Sequence, residues 1–201
     1  VTAIKLNYDF YQQDALTVAK KLIGKMLVRK LPGIEISCKI VETEAYIGPE
    51  DKGCHAYQNK RTQRTEAMFS SGGHAYIYFI YGMYYCFNVV ASVKDKPEAV
   101  LIRAAEPLAG IEIIRENRAI TSKKTADLTN GPGKLCQALA IDKKLNGYNL
   151  VTGDELYIVA GNDEQESRIT AAKRINIDYA EEYSEKLWRF YLHGNPFVSK
   201  T

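Results

Sequence analysis

No stretch of this 201-residue chain is apolar for long enough to cross a bilayer. Its opening, VTAIKLNYDFYQQDALTVAKK, lacks the basic start and apolar run of a secretory signal. There is no internal repeat, no low-complexity tract and no linker, so residues 1–201 are expected to form one soluble, cytoplasmic domain. Charge of either sign is not in excess. The formal net charge is +3 and the pI is near 8.5, whereas nucleic-acid-binding domains often exceed a pI of about 9. Charge alone therefore selects no partner.

Cysteine is sparse. The four, Cys38, Cys54, Cys86 and Cys136, form no C-x-x-C pair, and their spacings suit neither a zinc site nor a disulfide framework. They read as reduced packing residues. Cys54 and His55 are adjacent, and neighbours in an extended segment point apart, which argues against a metal there. No metal and no cofactor are expected.

What the chain has instead is tyrosine, 14 in all. Five of them fall within HAYIYFIYGMYYCFN, residues 74–88. Each buried tyrosine hydroxyl needs a hydrogen-bond partner, so a core strand would favour Val, Ile or Leu. Two readings are open: an aromatic strand pair packing the core, or a surface that stacks on something flat.

Around this stretch the pattern is mixed. QQDALTVAKKLIG, from about Gln12, has helical spacing, with Gly24 as a stop. KMLVRKL and ISCKIVETEAYI flank Pro32-Gly33 as a hairpin. Residues 48–73 are polar and form a long loop, a length that is often functional. The tyrosine strand, a turn near Gly82 and YYCFNVVAS follow, then the strand AVLIRAAEP. Pro107 is read as opening a helix, LAGIEIIRENR, and Asn130-Gly131-Pro132 as opening another, GKLCQALAI. ELYIVA and RINIDYA are read as strands, and the tail YSEKLWRFYLHGNPF as a short helix with a packed aromatic end. The expected fold class is α+β: a single compact domain with a curved, largely antiparallel β-sheet flanked by helices, and a protruding β-hairpin.

Three places could carry chemistry. In KIVETEAYI, period two puts Glu42, Glu44 and Tyr46 on one strand face. That face is either turned to solvent or is a cleft floor holding a general base. NKRTQR, with Arg61 and Arg64, is either a solvated loop or a phosphate contact. Gly131-Pro132-Gly133-Lys134 is either an ordinary helix start or an anion contact. Asn88 and Arg103 fall in or beside apolar strands, where a polar side chain needs a hydrogen bond or a ligand.

VETEAYIGPED, IYGMYYCFN and GPGKLCQALAI together resemble the alkyladenine (3-methyladenine) DNA glycosylases of the mammalian alkyladenine-glycosylase type. The resemblance extends from the first helix to RFYLHGNPFVS. It implies an enzyme that releases alkylated and deaminated purines from double-stranded DNA, without a metal cofactor and as a monomer. It implies that Glu44 is the general base that activates water. Tyr46, His55 and Tyr78 would hold the flipped base, and Tyr81 would wedge into the duplex. Asn88 would select against guanine, and Arg103 would contact the DNA backbone; Arg61, Arg64 and Lys134, from the two stretches read above, are the other expected backbone contacts. The sequence departs from the family pattern at Gly133, where serine is common, at SSGG after Phe69, and in having no long N-terminal extension.

The chemistry is compatible with this. A target purine must leave the stack before its glycosidic bond is accessible. Tyrosine faces attract a cationic alkylpurine by about 0.5–2 kcal/mol. Cleavage passes through an oxocarbenium-like sugar, which a carboxylate stabilises. No lysine lies in VETEAY or the tyrosine hairpin to form a Schiff base, so strand cutting is not expected. A base-stacking module without catalysis and a hydrolase of free nucleosides are the rival readings; the first has no use for the glutamates, the second none for a wedge.

Overall fold

The computed structural model describes residues 4–161 and 168–200. One helical turn, α1 (Tyr8–Tyr11), leads to α2 (Ala15–Leu22), whose start is set by Asp14 accepting the Thr17 N–H. The helix thus begins later than Gln12. Ala15, Val18, Ala19 and Leu22 recur at helical spacing and are fully buried. Gly24 follows with φ +86° and turns the chain into the sheet.

The sheet is antiparallel and open. β1 (Met26–Leu31), β2 (Ile34–Ile47), β3 (Ala75–Ile80), β4 (Tyr84–Ala91), β5 (Glu98–Ala109) and β6 (Leu156–Val159) run in the order β3-β4-β5-β2-β1-β6. β7 (Ile169–Ala172) pairs with β8 (Arg189–Leu192), and β8 pairs with β2 across Glu42, Thr43 and Glu44. α3 (Ile111–Arg118) and α4 (Pro132–Ala138) pack with α2 on one face.

Three elements differ from the sequence reading. Pro107 lies inside β5, opposite Cys38 and beside a bulge, a position where strands tolerate proline; α3 starts only after Gly110. RINIDYA is not a strand: β7 lies just before it, and Arg174–Ile177 leave the sheet to bury Arg174 against Asp51. The tail contributes β8, because RFYL fits beside β2 with all four residues buried.

Both faces of the central strands are covered, and this divides the side chains. Val41, Ala45, Ala75, Ile77, Phe87, Val89, Val100 and Ile102 enter the main core with the helices. The alternate positions turn to the other face, under the loop of residues 48–73, where Cys54, Ala56, Met68 and Phe69 form a second apolar cluster with Tyr76, Tyr46 and Tyr78. The site lies on that second face.

Candidate active site

Strand register lines up the polar residues of the second face. Tyr76 pairs with Asn88, Asn88 with Leu101, Leu101 with Glu44, and Glu44 with Arg189. Side chains scattered over the sequence thus form one row across five strands, β3, β4, β5, β2 and β8. Arg103 is added by a bulge: Thr43 pairs with Ile102 and Glu42 with Ala104, so Arg103 is the extra residue of β5. Bulges re-aim side chains, and they recur beside functional sites.

A cavity of about 480 Å³ opens on this face. Its lining includes Tyr46, His55, Tyr78, Asn88 and Arg103, with Tyr81 of the β3–β4 turn. Glu44 lies directly behind the wall. It is completely buried, one oxygen accepting from the Tyr46 hydroxyl at 2.8 Å and the other from the Ile175 N–H at 2.8 Å. Arg103 Nη1 stands 3.4 Å from the same carboxylate. A carboxylate has about four acceptor sites, so these contacts leave it able to hold a water. Burial and the Glu44 charge both push the Tyr46 phenol well up, so it stays a donor.

Glu42 is also fully buried and has as many contacts, but its hydrogen-bond donors lie outside the cavity lining, whereas Tyr46 and Ile175, which hold Glu44, are part of it. Glu42 accepts from Arg189 Nη1 at 2.9 Å and from the Ser199 N–H at 2.8 Å. Arg103 Nε comes within 3.4 Å of it without the alignment of a hydrogen bond. Burial opposes the Arg103 charge, but Glu44 and Glu42 outweigh it and raise the guanidinium's pKa. Arg103 therefore sits in the cavity wall between two carboxylates, nine-tenths buried.

The aromatic side is equally fixed. His55 Nδ1 lies 2.8 Å from the Tyr76 hydroxyl, and its ring meets Tyr78 edge-on at 4.6 Å. Burial, helped by the Arg64 charge, pushes the imidazole down to about 4, so it is neutral near pH 7. Asn88 donates to the Tyr76 carbonyl at 3.0 Å. Tyr81 is 70% exposed at the turn, with φ +53°, and Gly82 follows with φ +67°.

The expected cations are less unified. Arg64 is exposed, its guanidinium 5.3 Å over the Tyr78 ring. Arg61 is paired with Glu66 at 2.6 Å and Asp95 at 2.9 Å, outside the cavity lining. Lys134 donates to Asn130, while its neighbours Pro132 and Gly133 reach the cavity rim.

The sequence reading did not single out Tyr76, Asp51, Arg174, Ile175 or Tyr179. Tyr76 shares the parity of Tyr78, so its place was readable from period two. Asp51 and Arg174 had no local signal, being joined only by the fold. Among the described residues no cluster of three or more His, Cys, Asp or Glu side chains could hold a metal ion, and all four cysteines are free and buried.

The model of the family described as methylpurine-DNA glycosylase matches residues 9–196. The chain belongs to the methylpurine-DNA glycosylase family. Bacterial relatives agree. A Natranaerobius thermophilus protein named "Putative 3-methyladenine DNA glycosylase" is 63% identical over 196 residues, spanning 98% of this chain and 99% of its own. Proteins of the same name from Clostridium acetobutylicum and Bacillus cereus are each 52% identical, covering 98% and 96% of this chain and 98% and 97% of theirs. The family match thus includes the whole row from Glu44 to Asn88 and the Arg174–Tyr179 segment.

Proposed function

We propose that this protein is a monofunctional DNA glycosylase acting on alkylated and deaminated purines in duplex DNA. Its substrates would be 3-methyladenine, 7-methylguanine, hypoxanthine and ethenoadenine, and its product an abasic site. It would act as a monomer in the cytoplasm. The observation that carries this reading is the buried Glu44 carboxylate, held behind an aromatic cavity by Tyr46, Ile175 and Arg103.

Tyr81, standing exposed at the turn, enters the duplex and fills the place of the extruded purine; unstacking costs a few kcal/mol, roughly, and the wedge offsets it. The purine then lies among Tyr46, Tyr78 and His55, the roles assigned after the mammalian-type enzymes that the motifs resemble. If the Tyr76 hydroxyl donates to His55 Nδ1, the neutral imidazole carries its proton on Nε2 and donates into the cavity. One Asn88 amide hydrogen is used by the Tyr76 carbonyl; the other opposes the exocyclic amine of guanine, donor against donor. Glu44 takes the proton of the attacking water, and its charge faces the oxocarbenium-like sugar. Arg61, Arg64, Arg103 and Lys134 supply the phosphate contacts.

The test is a labelled duplex carrying one hypoxanthine or ethenoadenine. Incubation followed by alkali should give strand scission, and incubation alone should not. Binding without scission after alkali would instead indicate a stacking module.

A further inference from the structure

We propose that Tyr179 is a second aromatic contact to the DNA, bearing on the deoxyribose of the extruded nucleotide from across the cavity mouth opposite Tyr81. This rests on the glycosylase reading and extends it to a residue outside every motif described above.

Tyr179 belongs to the cavity lining, yet it is 65% exposed. Its ring is not loose. The neighbours Ile177 and Ala180 are both buried, and the Ala180 N–H donates to the Ile177 carbonyl at 2.8 Å. Pinned on both sides, the chain has to present residue 179 outward. The Tyr179 hydroxyl donates to the Gly53 carbonyl at 3.4 Å, bridging toward the loop that carries His55. Tyr179 and Tyr81 both line the cavity, and both are largely exposed.

Two ion-pair clamps fix the turn that bears it. Arg174 joins Asp51 and also donates to the Tyr183 carbonyl at 3.2 Å. Lys52 pairs with Glu181 at 2.5 Å and Glu182 at 3.0 Å. The second clamp has a consequence for DNA: unpaired, those two carboxylates would repel phosphates at the rim. Lys52 between them cancels one of the two charges and so halves that repulsion. A solvent-facing ring on a braced turn beside a cavity of this size costs apolar exposure that folding does not require. A nucleotide moving from the stack to the cavity passes between Tyr81 and Tyr179, and its sugar meets the Tyr179 face.

The experiment compares wild type, Tyr179→Phe and Tyr179→Ala. Excision of hypoxanthine from a duplex is followed under single-turnover conditions, and binding to a duplex bearing a tetrahydrofuran abasic analogue is measured by anisotropy. Tyr179→Ala should raise the half-saturating enzyme concentration and the analogue Kd about tenfold, the size of one lost aromatic contact, with little change in maximal rate. Tyr179→Phe should stay near wild type, since the ring makes the contact. Unchanged half-saturation and Kd in Tyr179→Ala would overturn the proposal. So would a fall in maximal rate matched by a lower unfolding temperature, which marks a structural role. Should the wild type release no base at all, the glycosylase reading fails, and the analogue Kd still decides whether Tyr179 touches DNA.

Discussion

Asp51 and Arg174, 123 residues apart in sequence, form a buried two-pronged ion pair at 2.5 and 2.8 Å. Asp51 also accepts the Ile47 and Gly53 N–H groups, and Arg174 donates to the Ala45 carbonyl. The guanidinium lies 4.7 Å over Tyr46 and 5.0 Å over Trp188. One ion pair therefore ties together the strand bearing Tyr46, the loop leading to His55 and the segment whose Ile175 N–H holds Glu44. Removing either charge leaves the other buried and unmatched, at a cost of about 3–5 kcal/mol. Arg174→Met and Asp51→Asn should lower stability by that amount in urea unfolding. Arg174→Lys should remain clearly below wild type, because an ammonium cannot reproduce the planar fork.

The two glutamates of VETEAY should separate in opposite ways. Glu44→Gln keeps an acceptor for the Ile175 N–H, and Arg103 keeps Glu42 as a partner. Its fold should hold and lesion binding should persist, while single-turnover base release falls about 10²- to 10⁴-fold, the usual worth of a general base. Glu42→Gln leaves Arg189 beside a neutral amide. It should lose stability in urea unfolding, by more than Glu44→Gln. Wild-type excision by Glu44→Gln would refute the role of Glu44.

Tyr81 occupies a left-handed backbone conformation that costs a non-glycine residue about 1–2 kcal/mol. Tyr81→Gly should therefore leave stability unchanged or raise it by about 1 kcal/mol. The same variant should excise well-paired lesions least efficiently, since those need the wedge most. Equal rates across all lesions would remove the wedge role.

His55 gives a pH-dependent stability with a defined sign. Its folded pKa is pushed down to about 4, below the usual 6.5, so the unfolded chain binds the extra proton between these values. Stability from this group is complete above about pH 6.5 and declines as pH falls toward 4. The loss is on the order of 3 kcal/mol, at about 1.4 kcal/mol per pH unit. His55→Gln should flatten this limb of a stability–pH curve measured by chemical unfolding.

Much of the site is legible along the sequence because β-strands keep strict alternation. Period two in KIVETEAYI groups Glu42, Glu44 and Tyr46, and the same parity in AYIYFI groups Tyr76 with Tyr78; the structure keeps both groups on one face. The alternation left open whether that face meets solvent, because burial of a face depends on what covers it. The loop of residues 48–73 does, through Cys54, Ala56, Met68 and Phe69. RINIDYA and the tail were misread for a related reason. The apolar pattern of RINIDYA fits a strand, but the buried Arg174 draws it out of the sheet; RFYL, read within a helix and a packed aromatic end, is instead drawn into the sheet by a free edge of β2.

The sequence by itself determined the family, the strand faces and the residue types of the cavity, since these rest on local order and spacing. Only the tertiary structure separated the two glutamates by their partners: Tyr46 and Ile175, which hold Glu44, line the cavity, and Arg189 and Ser199, which hold Glu42, do not. Glu42 and Glu44 are two residues apart, on the same face and equally buried. Their difference comes from Arg189, Ser199, Tyr46 and Ile175, most of them more than 130 residues away in the chain and brought to the two carboxylates by β8 and the Arg174 segment.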